Sequence, residues 1–299
     1  MKSIHLLSIS ACILFILFTP FTAQSLPINS DLGLTPHKGE FIFRIQGRYL
    51  TKTDDPSGQN RKVDVYSVPV VGVYGFTSKL SLLVKLPFLV KEMKTGSGQI
   101  RGDEGLGDIS VFGKYRIHTL NFKGGTSRLS LVAGLKLPTG DDNERDSSGL
   151  LPPGLQLGSG SVDFIAGAAH TLQTLDYEVD TDLRYIFNNE ANRFEFGDVF
   201  RYNLSFQKRI FPFTLPDKGM YDQFNALVEF NGFFQEKNKL LGIDQPNSGG
   251  HTLFISPGLQ YVTKRIVFET SFQYPIVQDL NGTQLETDYG FVLSLRVQF

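Results

Sequence analysis

The chain has 299 residues, with 29 Lys and Arg against 30 Asp and Glu, one cysteine, no tryptophan and 26 Phe. A formal charge of -1 at pH 7 excludes the basic surface of a nucleic-acid-binding protein and the composition of an acidic disordered tail. A mean hydropathy of -0.09 excludes a bundle of membrane-spanning helices, which would be far more apolar.

Residues 1–25 have the pattern of a secretory signal peptide. Lys2 supplies the positive start, residues 4–21 are almost continuously apolar, and residues 22–25 are small or polar, as a signal-peptidase site requires. The apolar run is short and no positive flank follows it, so a transmembrane anchor is disfavoured. We expect this segment to be removed. Because Cys12 leaves with it, the mature chain then has no disulfide, thiolate nucleophile or cysteine-based metal site.

After the signal, segments of about ten residues alternate apolar and polar side chains. The last is the clearest, with Tyr289, Phe291 and Leu293 on one face and Asp288 and Ser294 on the other. A period of two is that of a β-strand, and no window shows a helical stripe. About twelve such segments lie near residues 41–49, 63–74, 80–88, 109–117, 129–137, 162–172, 177–185, 196–207, 224–234, 251–262, 266–274 and 289–299. The second of them is apolar on both faces, so its orientation stays open.

Two kinds of fold produce this alternation. In a soluble β-sandwich the apolar face is buried between sheets, whereas in an outer-membrane β-barrel it meets lipid and the polar face lines the lumen. Long connections, such as 90–107 and 138–161, alternate with short ones, such as 75–79. Tyr residues such as Tyr49 lie at strand ends on the apolar face, as in the aromatic girdles of a barrel. The chain also ends on an outward Phe299, which resembles the C-terminal signature of outer-membrane barrels.

These features predict an all-β protein, a closed antiparallel transmembrane β-barrel of about twelve strands. We expect residues 26–38 to form a periplasmic segment and residues 39–299 to form the barrel, with strand 287–299 paired to strand 39–50. Closure is required because an open sheet edge in hydrocarbon leaves N–H and C=O groups unpaired. The predicted location is the outer membrane of a Gram-negative cell, with both termini in the periplasm.

The same features suggest the partners of the barrel. We expect a monomer in contact with outer-membrane lipid and lipopolysaccharide, recognised by the barrel-assembly machinery through Phe299. No feature of the chain predicts a contact with nucleic acid.

Four short motifs follow one another along the middle of the chain. They are Tyr74-Gly75-Phe76-Thr77, Gly105-Leu106-Gly107-Asp108, Leu135-Lys136-Leu137-Pro138-Thr139-Gly140-Asp141 and Gly158-Ser159-Gly160-Ser161-Val162-Asp163. The ordered set resembles a family of outer-membrane transporters associated with the MetA pathway of phenol degradation. The resemblance implies a barrel that transports small organic compounds, and it supplies no functional residues. The phenol label denotes an association with a pathway and not a substrate.

The residue types in these motifs indicate structural roles in turns, strand ends and loops. Gly75 is expected to permit a tight turn, and residues 138–140 to end a strand at the barrel rim. Gly158 and Gly160 are expected to let the long loop fold back toward the barrel mouth.

Charged side chains on the polar faces are the candidate lining of a solute path. The candidates are Arg44, Arg48, Lys85, Lys114, Arg116, Arg128, Lys136, Glu178, Asp180, Asp182, Glu229 and Glu269. Those before Pro138 are basic and those after it are acidic, so one wall of the lumen would face the other with opposite charge. Two outcomes stay open: a transverse field that orients dipolar solutes, or charges that pair and plug a narrow barrel.

We therefore predict a channel for the passive passage of small organic solutes, aromatic ones included, with no cofactor and no enzymatic activity. The histidines after the signal are scattered without the spacing of metal ligands. A barrel hydrolase is one alternative, and it would use His251 with Ser256 or Ser271 and Asp288. A structural or adhesive surface barrel is another, and it would pass no solute. Whether residues 26–38 enter the lumen as a small plug also stays open.

Overall fold

The computed structural model of the protein describes residues 27–214 and 222–299. The predicted signal peptide, residues 1–25, lies outside these ranges, as does part of the predicted turn 210–222. Within them, no helix is both long enough and apolar enough to cross a membrane.

Twelve antiparallel strands form one closed sheet, because each pairs with its neighbours in the chain and the last pairs with the first. They are β1 Phe41–Asp54, β2 Lys62–Gly75, β3 Leu80–Lys94, β4 in two segments Ile100–Leu106 and Ile109–Phe122, β5 Gly125–Leu137, β6 Asp163–Thr174, β7 Tyr177–Phe187, β8 Val199–Phe211, β9 Gln223–Gln235, β10 Gly250–Val262, β11 Ile266–Leu280 and β12 Glu286–Gln298. Closure runs from the pair Ile42 and Gln298 to the pair Asp54 and Glu286. The predicted fold class is confirmed.

The connections are long at one end of the barrel, here named the loop end, and short at the other, the turn end. Turns such as 123–124 and 263–265 lie at the turn end, and the longest connection, 138–162, lies at the loop end. The loops also contain a 3-10 helix and short paired strands: Pro153–Leu155, Arg145–Asp146 with Gly149–Leu150, and Phe194–Glu195 with Lys239–Leu240 and Ile243–Asp244.

One predicted loop is wrong. Residues 90–107 were expected to be irregular, but β3 continues to Lys94 and β4 begins at Ile100, so the two strands form a hairpin beyond the barrel rim. Its sequence is polar and contains several glycines, which is typical of a loop. A hairpin outside the hydrocarbon region meets water on both faces, so it does not require an apolar face.

The outward side chains form a continuous apolar surface. Near the middle of their strands Leu131, Leu183 and Leu293 are 49%, 45% and 55% exposed. Aromatic rings contact one another toward both ends of the barrel, as with Tyr49 and Tyr66 at the loop end, whose centroids are 4.9 Å apart, and with other pairs at the turn end. Such a surface suits the hydrocarbon core of a bilayer with aromatic residues at its two interfaces.

Pairing also orients β2, which is apolar on both faces. Val71 is the cross-strand partner of Arg44 in β1 and of Lys85 in β3, and both of these residues point into the lumen. Side chains of direct cross-strand partners lie on the same side of a sheet. Val71 and Val73 therefore face the lumen, and Tyr66 faces outward, where it is 48% exposed.

Candidate functional site in the barrel lumen

An extended segment of the chain before β1 lies inside the barrel. Ile28 is 1% exposed and packs against Leu227 of β9 and Val292 of β12, both of which point inward. Leu34 is also buried, whereas His37 and Lys38 are exposed at the turn end. Residues 28–35, here named the inner segment, thus occupy part of the lumen.

Glu229 of β9 holds the start of the inner segment. The backbone N–H groups of Asn29 and Ser30 donate hydrogen bonds to its carboxylate at 3.0 Å each. The Asn29 amide and the Ser30 hydroxyl donate to the same carboxylate at 2.7 and 2.8 Å. A fully buried carboxylate is thereby surrounded by donors, which compensates for the loss of its hydration.

Asp31 binds the middle of the inner segment to two strands of the barrel wall, β4 and β7. Its carboxylate forms ion pairs with Lys114 of β4 and Arg184 of β7, and its backbone N–H donates to Asp182 at 2.8 Å. Burial acts to raise the pKa of Asp31, but the two cations outweigh burial and lower the pKa from 3.8 to about 2. Asp31 is therefore ionised at neutral pH.

Two glycines allow the chain to pass this close to the wall. The Gly33 N–H donates to Thr171 at 3.0 Å and its carbonyl accepts from Ser130 at 2.6 Å, so a Cβ on Gly33 would overlap the wall backbone at Arg128. At Gly75 a Cβ would overlap the carbonyl of His37. The expectation that Gly75 serves a tight turn is wrong: its missing side chain makes room for the chain entering the barrel.

All twelve predicted lumen residues alternate inward, and most of them have partners. Arg44 pairs with Glu269 at 2.7 Å and Lys136 pairs with Asp163. The remaining contacts are Arg48 to Asn29, Lys114 to Asp31, Arg116 to the carbonyl of Ser78, Gln173 to Glu178, Thr171 to Asp180, Asn203 to Asp182, and Ser30 to Glu229. Arg128 is the cross-strand partner of Thr119 and Thr171. Charges of the basic and acidic walls thus pair in places, either directly or through the inner segment.

Not every inward cation has such a partner, and Arg128 Nε has none among the described residues. Lys85 of β3 and Arg201 of β8 point inward and remain exposed to solvent, and neither has an ion pair or hydrogen bond in the part of the chain that the structure describes. Arg201 lies over the ring of Phe233, with its guanidinium carbon 5.7 Å from the ring centroid. Lys85 is repelled by Arg48, Arg184 and Arg201, which approach it from other strands.

A row of apolar side chains crosses the inner wall, and it was not predicted from the sequence. Consecutive cross-strand partners form this apolar row: Ile42, Val73, Leu83, Phe112, Gly134, Ile165, Ile186 and Val199, from β1 to β8. Because the strands are staggered, the row begins near the turn end of β1 and ends at the loop end of β8. The available signal was that Phe112, Ile165 and Ile186 occupy polar-face positions in β4, β6 and β7.

A cavity of about 120 Å³ lies between the apolar row and the inner segment. Val73, Leu83 and Phe112 line it on the wall side, and Leu34 lines it on the other. Its charged lining includes Lys114 and Arg184, and the Arg184 guanidinium carbon lies 5.7 Å from the centroid of Phe112. The cavity therefore joins apolar surface to charged surface, which also includes the carboxylates of Asp31 and Glu40.

The residues of the predicted hydrolase alternative are not brought together. His251 points outward and stacks on Phe234, with ring centroids 4.0 Å apart, while its Nε2 lies 2.7 Å from the Tyr202 hydroxyl. Ser256 and Ser271 are buried on the inner side of the wall. A nucleophile and its base must be within hydrogen-bond reach, which this arrangement does not provide. Among the described residues, no group of three or more potential metal ligands converges.

Comparison of the fold with solved structures finds outer-membrane barrels. One is an outer-membrane channel from Pseudomonas putida F1, with a TM-score of 0.67 and 15% identity, covering 91% of this chain and 100% of that chain. Another is the β-domain of the Bordetella autotransporter BrkA, with a TM-score of 0.48 and 12% identity, covering 88% and 100%. At these identities the likeness concerns the fold alone.

Comparison of the sequence identifies a family. No curated protein matches the sequence. A family model described as "Putative MetA-pathway of phenol degradation" matches residues 68–276, which is more than half of the chain and includes all four motifs. The resemblance seen in the motifs is confirmed, and the chain belongs to this family.

Proposed function

We propose that the protein is a passive outer-membrane channel for small organic solutes, aromatic ones included, and that its lumen is the solute path. The observation that carries this proposal is the solvent exposure of Lys85 and Arg201 inside a closed barrel. A lumen filled by side chains would leave no water around these two cations.

The inner segment narrows this path without filling it. Solutes entering at the loop end pass the two exposed cations and then meet residues 28–35. The cavity beside the segment is lined from Ser30 to His37 and so extends toward the turn end. Passage is diffusion down a gradient, and its rate depends on how firmly the inner segment is held.

Electrical recording tests the proposal. The mature chain in a planar bilayer is expected to give small, discrete current steps, and a variant lacking residues 27–34 is expected to give larger ones. A control of equal length, in which residues 27–34 are replaced by Gly and Ser, loses the contacts to Glu229 and the Asp31 side chain but keeps the chain length. Folded protein that gives no current above background, with or without the segment, would contradict the channel proposal.

The proposal also includes the orientation of the barrel in the outer membrane and the molecules that surround it. The apolar outer surface contacts outer-membrane lipid and lipopolysaccharide, and Phe299 is the residue that the assembly machinery binds. The long connections face the cell exterior, both termini face the periplasm, and the barrel acts as a monomer. The inner segment is then the periplasmic side of the path. Protease cleavage of loop 138–162 in intact cells tests this orientation.

A further inference from the structure

We propose that Arg48, Lys85 and Arg201 form a binding site in the lumen for a small organic anion whose apolar body lies on the apolar row. This inference rests on the proposed function, since it names the class of solute that the lumen takes. The ligand class is a carboxylate or sulfonate carried by a compact apolar group such as one ring.

Positive charge without ion-pair partners gathers in the lumen. Arg48, Lys85 and Arg201 have no ion pair in the described ranges, and Arg48 has only a hydrogen bond to the Asn29 amide oxygen at 3.2 Å. They approach one another from β1, β3 and β8, together with Arg184, so that each repels Lys85. Cations that converge in a confined space without a counter-charge favour the binding of an anion.

The nearby carboxylates supply only part of that counter-charge: Glu229 attracts Arg48 and Asp182 attracts Arg201, but neither pair forms an ion pair in the described ranges. Asp31 is shared between Lys114 and Arg184, Asp182 accepts from Asn203 and the Asp31 N–H, and Glu229 accepts four hydrogen bonds from the inner segment. Each of these groups has donors of its own.

Apolar surface lies beside these cations. Lys85 lies two residues beyond Leu83 on the inner face of β3, and Arg201 lies two residues beyond Val199 on that of β8. Arg184, the cross-strand partner of Arg201, lies over Phe112. Lys85 and Arg201 thus each follow a residue of the row on the inner face of their own strand, whereas an inorganic anion would leave the row unused.

A cavity on the same row, lined by Leu83 and Phe112 but by none of the three cations, indicates the size of the apolar group. Its volume of about 120 Å³ is close to that of an apolar protein cavity that accepts benzene. The site therefore selects a single-ring or short aliphatic body with one negative charge. Benzoate has both properties, benzyl alcohol has the ring without the charge, and acetate has the charge without the ring.

Equilibrium binding to the mature protein in detergent tests this inference. Calorimetry with these three compounds is expected to show benzoate binding about tenfold more tightly than either of the others, the effect of one moderately strong interaction. A double variant, Lys85→Gln with Arg201→Gln, is expected to lose about tenfold in benzoate affinity and little in benzyl alcohol affinity. Lys208→Gln is the matched control, because Lys208 lies on β8 but is exposed at the turn end of its outer face.

The outcomes separate this inference from the proposed function. Equal affinity for benzoate and benzyl alcohol, or an unchanged benzoate affinity in the double variant, overturns the anion site. The comparison of the three compounds needs only the wild-type protein, so it stands even if the double variant fails to fold. A protein that conducts without preferring benzoate remains a channel without this site, and one that binds benzoate but passes no current keeps the site and loses the channel.

Discussion

Asp31 holds the inner segment by electrostatic attraction, because its carboxylate forms ion pairs with Lys114 of β4 and Arg184 of β7. Its folded pKa of about 2 lies below the ordinary value of 3.8. The stabilisation is therefore complete above about pH 4 and is lost as the pH falls toward 2, with a size of about 2 kcal/mol. The charged groups that face Asp31 are Lys114, Arg184, Asp182 and Asp180.

We predict that the inner segment stays docked at neutral pH and loosens between about pH 4 and pH 2. A fluorophore on Leu32→Cys reports this, since the predicted mature chain has no other cysteine. Asp31→Asn is expected to be looser than the wild type at pH 7, with a smaller change on acidification. The same transition in both proteins would show that another group releases the segment.

The close fit of Gly33 against the wall also holds the inner segment in place, and this contact does not depend on charge. Because a Cβ there overlaps the wall backbone at Arg128, Gly33→Val is expected to weaken docking by about 1–3 kcal/mol. Larger and noisier single-channel currents would be the readout. Gly47→Val is the control, because a Cβ at Gly47 meets no atom within 4 Å.

Among the elements, the strands with one wet and one apolar face were predictable, and β2 was not. Leu80, Leu82 and Val84 of β3 face outward at alternate positions, as predicted. In β2 the inward side chains Val71 and Val73 are as apolar as the outward ones, because this part of the wall belongs to the apolar row. A periodicity argument assumes a polar lumen, so it cannot orient a strand where the lumen is apolar.

Three of the four family motifs meet at one junction at the loop end. Asp108, between the two segments of β4, accepts hydrogen bonds from the Gly140 N–H at 3.0 Å and from the Ser159 N–H and hydroxyl at 2.8 and 2.9 Å. Three motifs that are separate in sequence thus share one carboxylate. This contact supports the interpretation of the motifs as architecture.

We predict that Asp108→Ala releases loop 138–162 from this junction. The unpaired donors of Gly140 and Ser159 are expected to cost about 2 kcal/mol locally. Limited proteolysis is expected to cut the loop faster, while the barrel keeps its heat-modifiable migration in gels. Asp141→Ala, an exposed position in the same loop, is expected to leave the cleavage rate unchanged.

At the scale of the whole molecule, closure and strand number followed from alternation and connection lengths, but the contents of the lumen did not. Residues 26–38 have no periodic pattern, and their partners lie far away in the chain, as Ser30 and Glu229 do. Hydrogen bonds to single residues across the interior leave no repeating trace in a sequence. The sequence therefore left open whether residues 26–38 form a plug. It could not identify the hydrogen-bond acceptors in the wall, such as Glu229, that hold this segment.

The outer surface of the whole barrel makes a prediction that depends on depth in the bilayer. Leu183 lies in the middle of β7 and Phe187 at its loop end, and both point outward with 45% and 47% exposure. Leu183→Arg is expected to destabilise the barrel by about 2–4 kcal/mol, and Phe187→Arg by about 0–1, because a charge costs most near the bilayer midplane. Urea unfolding of the protein in lipid vesicles measures both. Equal and small costs at the two positions would mean that this face does not meet hydrocarbon, since only a bilayer distinguishes two residues of similar exposure by their depth.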